Sequence, residues 1–111
     1  MKTTQNADVE VLRCKGDLNA VSMVSIKNKV SRLMKKNKNR VLLDLKKTDH
    51  VDLAGLGILV ERIRNIRAID GDIKLCNVKP EVKETFRLVG VSKLIEAFNS
   101  EEEAIRSFDV A

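Results

Sequence analysis

Side chains that could do acid–base or metal chemistry cluster at one place in the sequence. His50, the only histidine, is flanked by Asp49 and Asp52. A Ser–His–Asp site or a metal site needs further partners in a recognisable arrangement, and the sequence supplies none. We therefore interpret His50 as a surface-loop residue or as a contributor to partner contacts, and we predict no metal site.

Other motifs also fall short of an active site. The run Gly55-Leu56-Gly57-Ile58-Leu59-Val60 begins like a dinucleotide fingerprint, but Val60 takes the place of the third glycine and a long link separates the glycines from the preceding strand. Asp44, near the end of a predicted strand, lacks the acidic pair and the lysine that a phosphate-accepting receiver domain requires. The sequence therefore predicts no enzyme and no cofactor.

The elements that position these residues are a strand and a helix on either side of a polar turn. The apolar run Val41–Leu45 lacks alternation, which is typical of a strand buried on both faces. The chain re-enters the interior at Val51, and a helix opens at the two glycines and ends near Ile69, with apolar residues at helical spacing. The unpaired N–H groups and positive dipole at the start of this helix favour recognition there.

Strands and helices alternate along the rest of the chain, which indicates mainly parallel pairing. Cys14 and Cys76 fall one each in predicted strands without CxxC spacing, so we expect buried, reduced thiols. The predicted strands are 2–5 (a short edge strand), 9–14, 41–45, 73–78 and 94–98, and the further predicted helices are 20–36, 80–89 and one that begins at a Ser100–Glu103 capping box.

Composition and charge describe a small module with one basic region. At 111 residues we expect a single domain, 1–111. Neither a membrane-spanning run nor the apolar region of a signal peptide is present, which predicts a cytoplasmic protein. Residues 1–50 carry 12 Lys/Arg against 5 Asp/Glu, whereas residues 51–111 carry 9 against 11. The basic excess, centred on 27–40, is consistent with a solvated helix face, an acidic protein partner or nucleic acid. Nucleic acid is the least favoured of the three, because no aromatic residues that could stack on bases are interleaved with the basic ones.

The order of these motifs resembles the STAS domain, the family of bacterial anti-sigma factor antagonists. The matching segments are Gly16-Asp17-Leu18-Asn19, Asp44-Leu45, Asp52-Leu53-Ala54-Gly55-Leu56-Gly57, Asn77-Val78-Lys79-Pro80-Glu81-Val82, the turn 88–91 and the terminal Ser100-Glu101-Glu102-Glu103-Ala104. The resemblance spans essentially the whole chain. It implies an α/β fold of the SpoIIAA-like type, with a mixed, mainly parallel sheet of four to five strands packed with four helices.

The resemblance also implies a function and a site. In the family the helix-opening motif reads D-S-S-G-L-G, and a partner kinase phosphorylates its second serine. Ala54 takes that position here, so the usual phosphorylation cannot occur. The implied protein is a non-enzymatic regulator that binds a serine-kinase anti-sigma factor. The alternative is an accessory subunit of a membrane transport complex, bound to its ATPase. The expected partner-binding residues are Asn19, His50, Asp52, Leu53, Ala54, Gly55 and Leu56.

Overall fold

The fold is a four-stranded parallel sheet with helices on both faces, seen in a computed structural model that describes residues 8–109. The strands lie side by side in chain order, β1-β2-β3-β4, and every pair is parallel. The elements are β1 (Glu10–Arg13), α1 (Ala20–Lys35), β2 (Arg40–Asp44), α2 (Leu53–Arg67), β3 (Asp72–Cys76), α3 (Pro80–Val89), β4 (Ala97–Phe98) and α4 (Glu101–Ser107).

The main core lies between one face of the sheet and helices α1, α2 and α3. Alternate residues of β2 and β3 reach it, and Leu43 sits in register with Leu12 on one side and Leu75 on the other. The helices contribute aliphatic residues at helical spacing. The buried members from the helices are Met23, Val30, Leu56, Leu59, Ile63, Ile66, Val82 and Phe86.

A second, smaller core lies on the opposite face, under α4. Its buried residues are Val9, Leu42, Cys76, Ala104 and Phe108. Because β2 is buried on both faces, its sequence shows no polar alternation.

A buried lysine ties α4 to the sheet. Lys74, on β3, is only 7% exposed. Its Nζ donates to Ser107 Oγ at 2.9 Å and to the Ser107 carbonyl at 3.2 Å, and lies 4.5 Å from the centre of the Phe108 ring. Hydrogen bonds and the aromatic face replace the water that the ammonium loses, so its burial is tolerated.

The predicted fold class and most element positions are confirmed. Most boundaries differ from the prediction by one or two residues, and two of the differences have a clear physical reason. The strand predicted over 94–98 is only Ala97–Phe98. Leu94 belongs to a turn, in which its N–H donates to Val91 O, and the side chain of Ile95 packs in the main core. The second helix begins at Leu53 rather than at the first glycine. The edge strand predicted over 2–5 lies outside the described residues.

Both cysteines are buried and reduced, as predicted, although Cys14 lies one residue beyond β1. Burial raises the pKa of each thiol to about 11. No helix in the part of the chain that the structure describes is both long and apolar enough to cross a membrane.

Candidate functional site

The site predicted from the sequence lies where α1 and α2 begin side by side. A parallel bridge between Leu18 and Val51 joins the two loops that lead into these helices. The Leu18 N–H donates to His50 O at 3.0 Å, and the Asp52 N–H donates to Leu18 O at 3.1 Å. This pairing extends the sheet by one bridge and brings the start of both helices to the same edge.

Side chains hold the β2–α2 loop in one conformation. Asp17 Oδ1 accepts from the N–H groups of both Asp49 and His50 at 3.0 Å. Thr48 is fully buried, and its hydroxyl donates to Gly16 O at 2.7 Å. On the other side of the loop Asp49 pairs with Lys79, which lowers the pKa of the Asp49 carboxyl below its usual value. Two neighbouring segments, the β1–α1 loop and the residue that precedes α3, thus fix the loop before any partner arrives.

Polar side chains cap both helices. Asn19 accepts from the Ser22 N–H at 2.9 Å, and Ser22 Oγ accepts from the Asn19 N–H at 3.0 Å, which forms a capping box on α1. Asp52 Oδ1 accepts from the Gly55 N–H at 2.7 Å on α2. Because the chain satisfies these orphan N–H groups itself, Asn19 and Asp52 have a structural role as well as a place at the site.

The seven predicted site residues divide into a surface group and an internal group. His50, Asp52, Leu53 and Ala54 are exposed, with Leu53 at 70%. Asn19, the N-cap of α1, is half-buried, whereas Gly55 and Leu56 are buried, and Leu56 packs in the main core. The structure therefore brings all seven together, but the first four present most of the accessible surface, Asn19 presents part of its side chain, and Gly55 and Leu56 are buried.

Gly55 has a packing reason to be glycine. A Cβ at this position would lie 2.5 Å from Leu18 O and 2.9 Å from Asn19 Cα, distances that real Cβ atoms essentially never show. At Gly57, two positions on, a Cβ would meet nothing within 4 Å. Only the first glycine is required for the close approach of the two helix starts.

The surface extends beyond the predicted residues onto α1. Val21 is 83% exposed and Val24 is 53% exposed in the first turns of that helix. Neither valine is among the site residues predicted from the sequence, although both fall off the helical spacing of the buried Met23 and Val30, which indicates that they face outward. Asp17 was also missed as the brace of the loop, since no local pattern signals a bond to residues so distant in the chain.

An apolar groove of about 400 Å³ runs from the site between α2 and α3. Leu53, Gly57, Val60, Val89 and Val91 are among its lining residues. Leu53 belongs both to the predicted site and to this groove, so a partner seated at the start of α2 could also contact the groove.

Asp44 is a structural anchor. It accepts from Arg13 at 2.9 Å, from Asn77 Nδ2 at 3.1 Å and from the Lys46 N–H at 3.0 Å. Burial by itself raises the pKa of Asp44, but the hydrogen bonds from Asn77, Lys46 and Arg13 outweigh it and lower the pKa below its usual value. Within residues 8–109 no group of three potential metal ligands comes together.

Comparison with known proteins places this geometry in a family. The sequence model of the STAS domain matches residues 1–104. A relative from Bordetella bronchiseptica, named "Putative anti-sigma factor antagonist BtrV", is 28% identical over 110 residues, which cover 98% of this chain and 95% of the relative.

Solved structures share the fold. A Thermotoga maritima protein, described as a putative anti-sigma factor antagonist, superposes with a TM-score of 0.85 at 19% identity, covering 97% of this chain and all of that one. The anti-sigma factor antagonist SpoIIAA in its unphosphorylated form gives 0.71 at 22% identity, covering 100% and 96%. The STAS domain of a SulP transporter from Vibrio cholerae gives 0.72 at 17% identity, covering 91% and 80%.

Proposed function

The chain belongs to the STAS domain family, and we propose that it is a non-enzymatic, cytoplasmic regulator of the anti-sigma factor antagonist type. Its proposed partner is a serine-kinase anti-sigma factor. The observation that carries the proposal is the exposed first turn of α2, where Leu53 and Ala54 directly follow a loop that the rest of the domain already holds in place. A preorganised loop loses little conformational entropy on binding, which favours affinity.

Ala54 distinguishes this proposed regulator from relatives that are controlled by phosphorylation at the same position. Its methyl group cannot accept phosphate, so the protein would stay in the binding-competent state. The nearest hydroxyl in the loop, on Thr48, is fully buried and hydrogen-bonded to Gly16 O, so a kinase could reach it only after the loop opened. Control would then come from the amount of protein or from competition for the partner.

A second candidate is the role of an accessory subunit bound to the ATPase of a transport complex. The likeness to the transporter STAS domain favours it at the level of the fold. Purification from the native cell separates the two functions, because one would bring down a soluble kinase and the other a transporter ATPase.

The test places a carboxylate at the proposed contact by Ala54→Asp. An anion in the first turn of a helix is tolerated or favoured by about 0.3–1 kcal/mol, so the variant should remain folded. If Ala54 packs against the kinase, the new charge is buried without a counter-ion at a cost of several kcal/mol, and each 1.4 kcal/mol weakens binding tenfold. We expect calorimetry with the purified kinase to show a loss of about a hundredfold or more.

Two further variants complete this experiment. Ala68→Asp makes the same chemical change at an exposed position at the far end of α2 and should leave affinity within about twofold. Ala54→Ser restores the hydroxyl, so incubation with the kinase and ATP should add a phosphate to this variant and none to the natural chain. Unchanged affinity for Ala54→Asp, with an unchanged thermal melt, would show that the partner uses another surface.

A further inference from the structure

The exposed side of α1 carries a straight stripe that changes from apolar to cationic along the helix. Residues 21, 24, 28, 32 and 35 follow one another at spacings of three or four, so they lie on one line of the helix surface. Val21 and Val24 form the apolar end, Asn28 the middle, and Arg32 and Lys35 the cationic end, and all five are exposed. At 1.5 Å per residue the stripe is roughly 21 Å long.

Within residues 8–109, no acidic side chain forms a salt bridge with the cationic end. Residues 18–43 contain no Asp or Glu. None of the seven Lys and Arg side chains in that segment forms a salt bridge with an acidic residue of the part of the chain that the structure describes, whereas Arg67, Lys79, Arg87 and Arg106 of other segments do. Arg62 of α2 adds another cation where α2 packs against α1, because its Nη1 donates to Ser31 Oγ at 3.1 Å.

This arrangement carries an energetic cost within the monomer. Arg32 and Lys36 are like charges four residues apart, and Arg32 and Lys35 three apart, spacings at which like charges destabilise a helix. The helix dipole offsets part of this cost because Arg32 and Lys35 lie in the last turn. An exposed surface that needed only solubility would be better served by mixed charges.

We propose that this stripe binds an acidic, amphipathic helix of a protein partner, with aliphatic side chains against Val21 and Val24 and carboxylates against Arg32 and Lys35. The proposal deepens the proposed function, because the apolar end of the stripe begins at the helix start that Gly55 touches. Opposite charges across such a contact speed association and fix its register.

The pattern fits a protein better than a lipid surface or a nucleic acid. The apolar face that α1 would need to enter a membrane is buried in the core through Met23 and Val30. A nucleic acid would match the cations but leave Val21 and Val24 against a polar backbone, and no aromatic side chain on α1 offers base stacking.

The experiment uses a synthetic helical peptide as the probe. The peptide spans about five turns and carries two leucines at one end of one face and glutamates along the rest of that face. Titration into the isotopically labelled protein should shift backbone amide signals along α1, and raising the salt from about 50 to 200 mM should weaken binding about tenfold or more. A peptide of the same composition with evenly spread leucines is the control and should bind more weakly.

Matched variants locate the contact. Arg32→Ala with Lys35→Ala removes two charges from the stripe, and Lys46→Ala with Lys47→Ala removes two exposed charges from the β2–α2 turn. Alanine is the best helix former, so the first pair should stay folded, which a thermal melt checks. We expect about a tenfold loss of peptide affinity for the stripe pair and little change for the turn pair.

Three results would overturn the inference. The first is an equal loss of peptide affinity in the stripe variant and the turn variant, and the second is a set of amide shifts spread evenly over the surface. The third is tighter binding of the protein to phosphatidylserine vesicles or to a DNA duplex than to the peptide. The assay contains no kinase, so its failure leaves the Ala54 experiment unaffected. Conversely, a kinase that does not bind leaves the peptide result standing.

Discussion

The two glycines at the start of α2 allow a matched test of how closely α1 and α2 approach each other. Gly55→Ala would place a Cβ 2.5 Å from Leu18 O, 2.7 Å from the Leu18 carbonyl carbon and 2.9 Å from Asn19 Cα. All three atoms belong to backbone that the Leu18–Val51 bridge and the α1 cap hold in place, so no flexible side chain can move aside. Overpacking of this kind typically costs about 1–3 kcal/mol.

Gly57→Ala is the control because its Cβ meets nothing within 4 Å. In a helix, alanine in place of glycine stabilises by about 0.5–1 kcal/mol. The two variants differ by one position and share the same chemistry, so their free energies of unfolding should lie about 1.5–4 kcal/mol apart, with Gly55→Ala the less stable. For a domain of this size each kcal/mol moves Tm by about 4–8 °C.

Chemical denaturation followed by circular dichroism measures both variants against the natural chain. The midpoint should fall for Gly55→Ala and rise slightly for Gly57→Ala, with the same slope. Equal stability of the two variants would mean that the start of α2 does not rest on the backbone before α1, and the description of the site as two joined helix starts would be wrong.

Three further predictions concern the core and its titratable groups. Leu59→Ala should destabilise the fold by about 2–5 kcal/mol, measured by denaturation, because the side chain is 1% exposed in the main core; a loss under about 0.5 kcal/mol would contradict that burial. The lowered pKa of Asp44 stabilises the fold above the unfolded value of about 3.9 and ceases to do so as the pH falls through the folded pKa. Asp44→Asn should therefore lose less stability than the natural chain between about pH 5 and pH 3. Cys14 and Cys76, with pKa values of about 11, should react with a thiol reagent at pH 8 far more slowly in the native than in the denatured protein; equal rates would show that the thiols are accessible.

The elements that the sequence predicted well are those with strong local patterns. Val41–Leu45 is a run typical of a strand that is covered on both faces, and it coincides with β2 to within one residue. The sequence pattern predicts the start of α2 two residues late, because Gly55 follows the true first residue, Leu53, by two positions. The Asp52 side chain, which accepts from the Gly55 N–H, shows that the cap and not the glycine marks the beginning.

What the sequence could not predict depends on contacts between distant segments. The brace from Asp17 to the backbone of Asp49 and His50 joins residues more than thirty positions apart. Lys74 would be assigned to a solvent-exposed face by its type, but α4 covers it, Ser107 accepts its hydrogen bonds, and Glu96 lies 3.8 Å from its ammonium. Such pairings follow from tertiary packing, which periodicity along the chain does not contain.

The hydrogen bonds between Lys74 and Ser107 of α4 imply that different parts of the molecule open at different free energies. Helix α4 has 7 residues and covers the smaller core, whereas the main core holds the three longer helices. Lifting α4 would return the ammonium of Lys74 to water, a favourable hydration that offsets part of the lost apolar contact. Arg13 would lose Glu101 yet keep Asp44, so the sheet would survive the event. Hydrogen exchange should therefore divide the chain into two cooperative units, with α4 released at a lower free energy than the amides of β2 and β3.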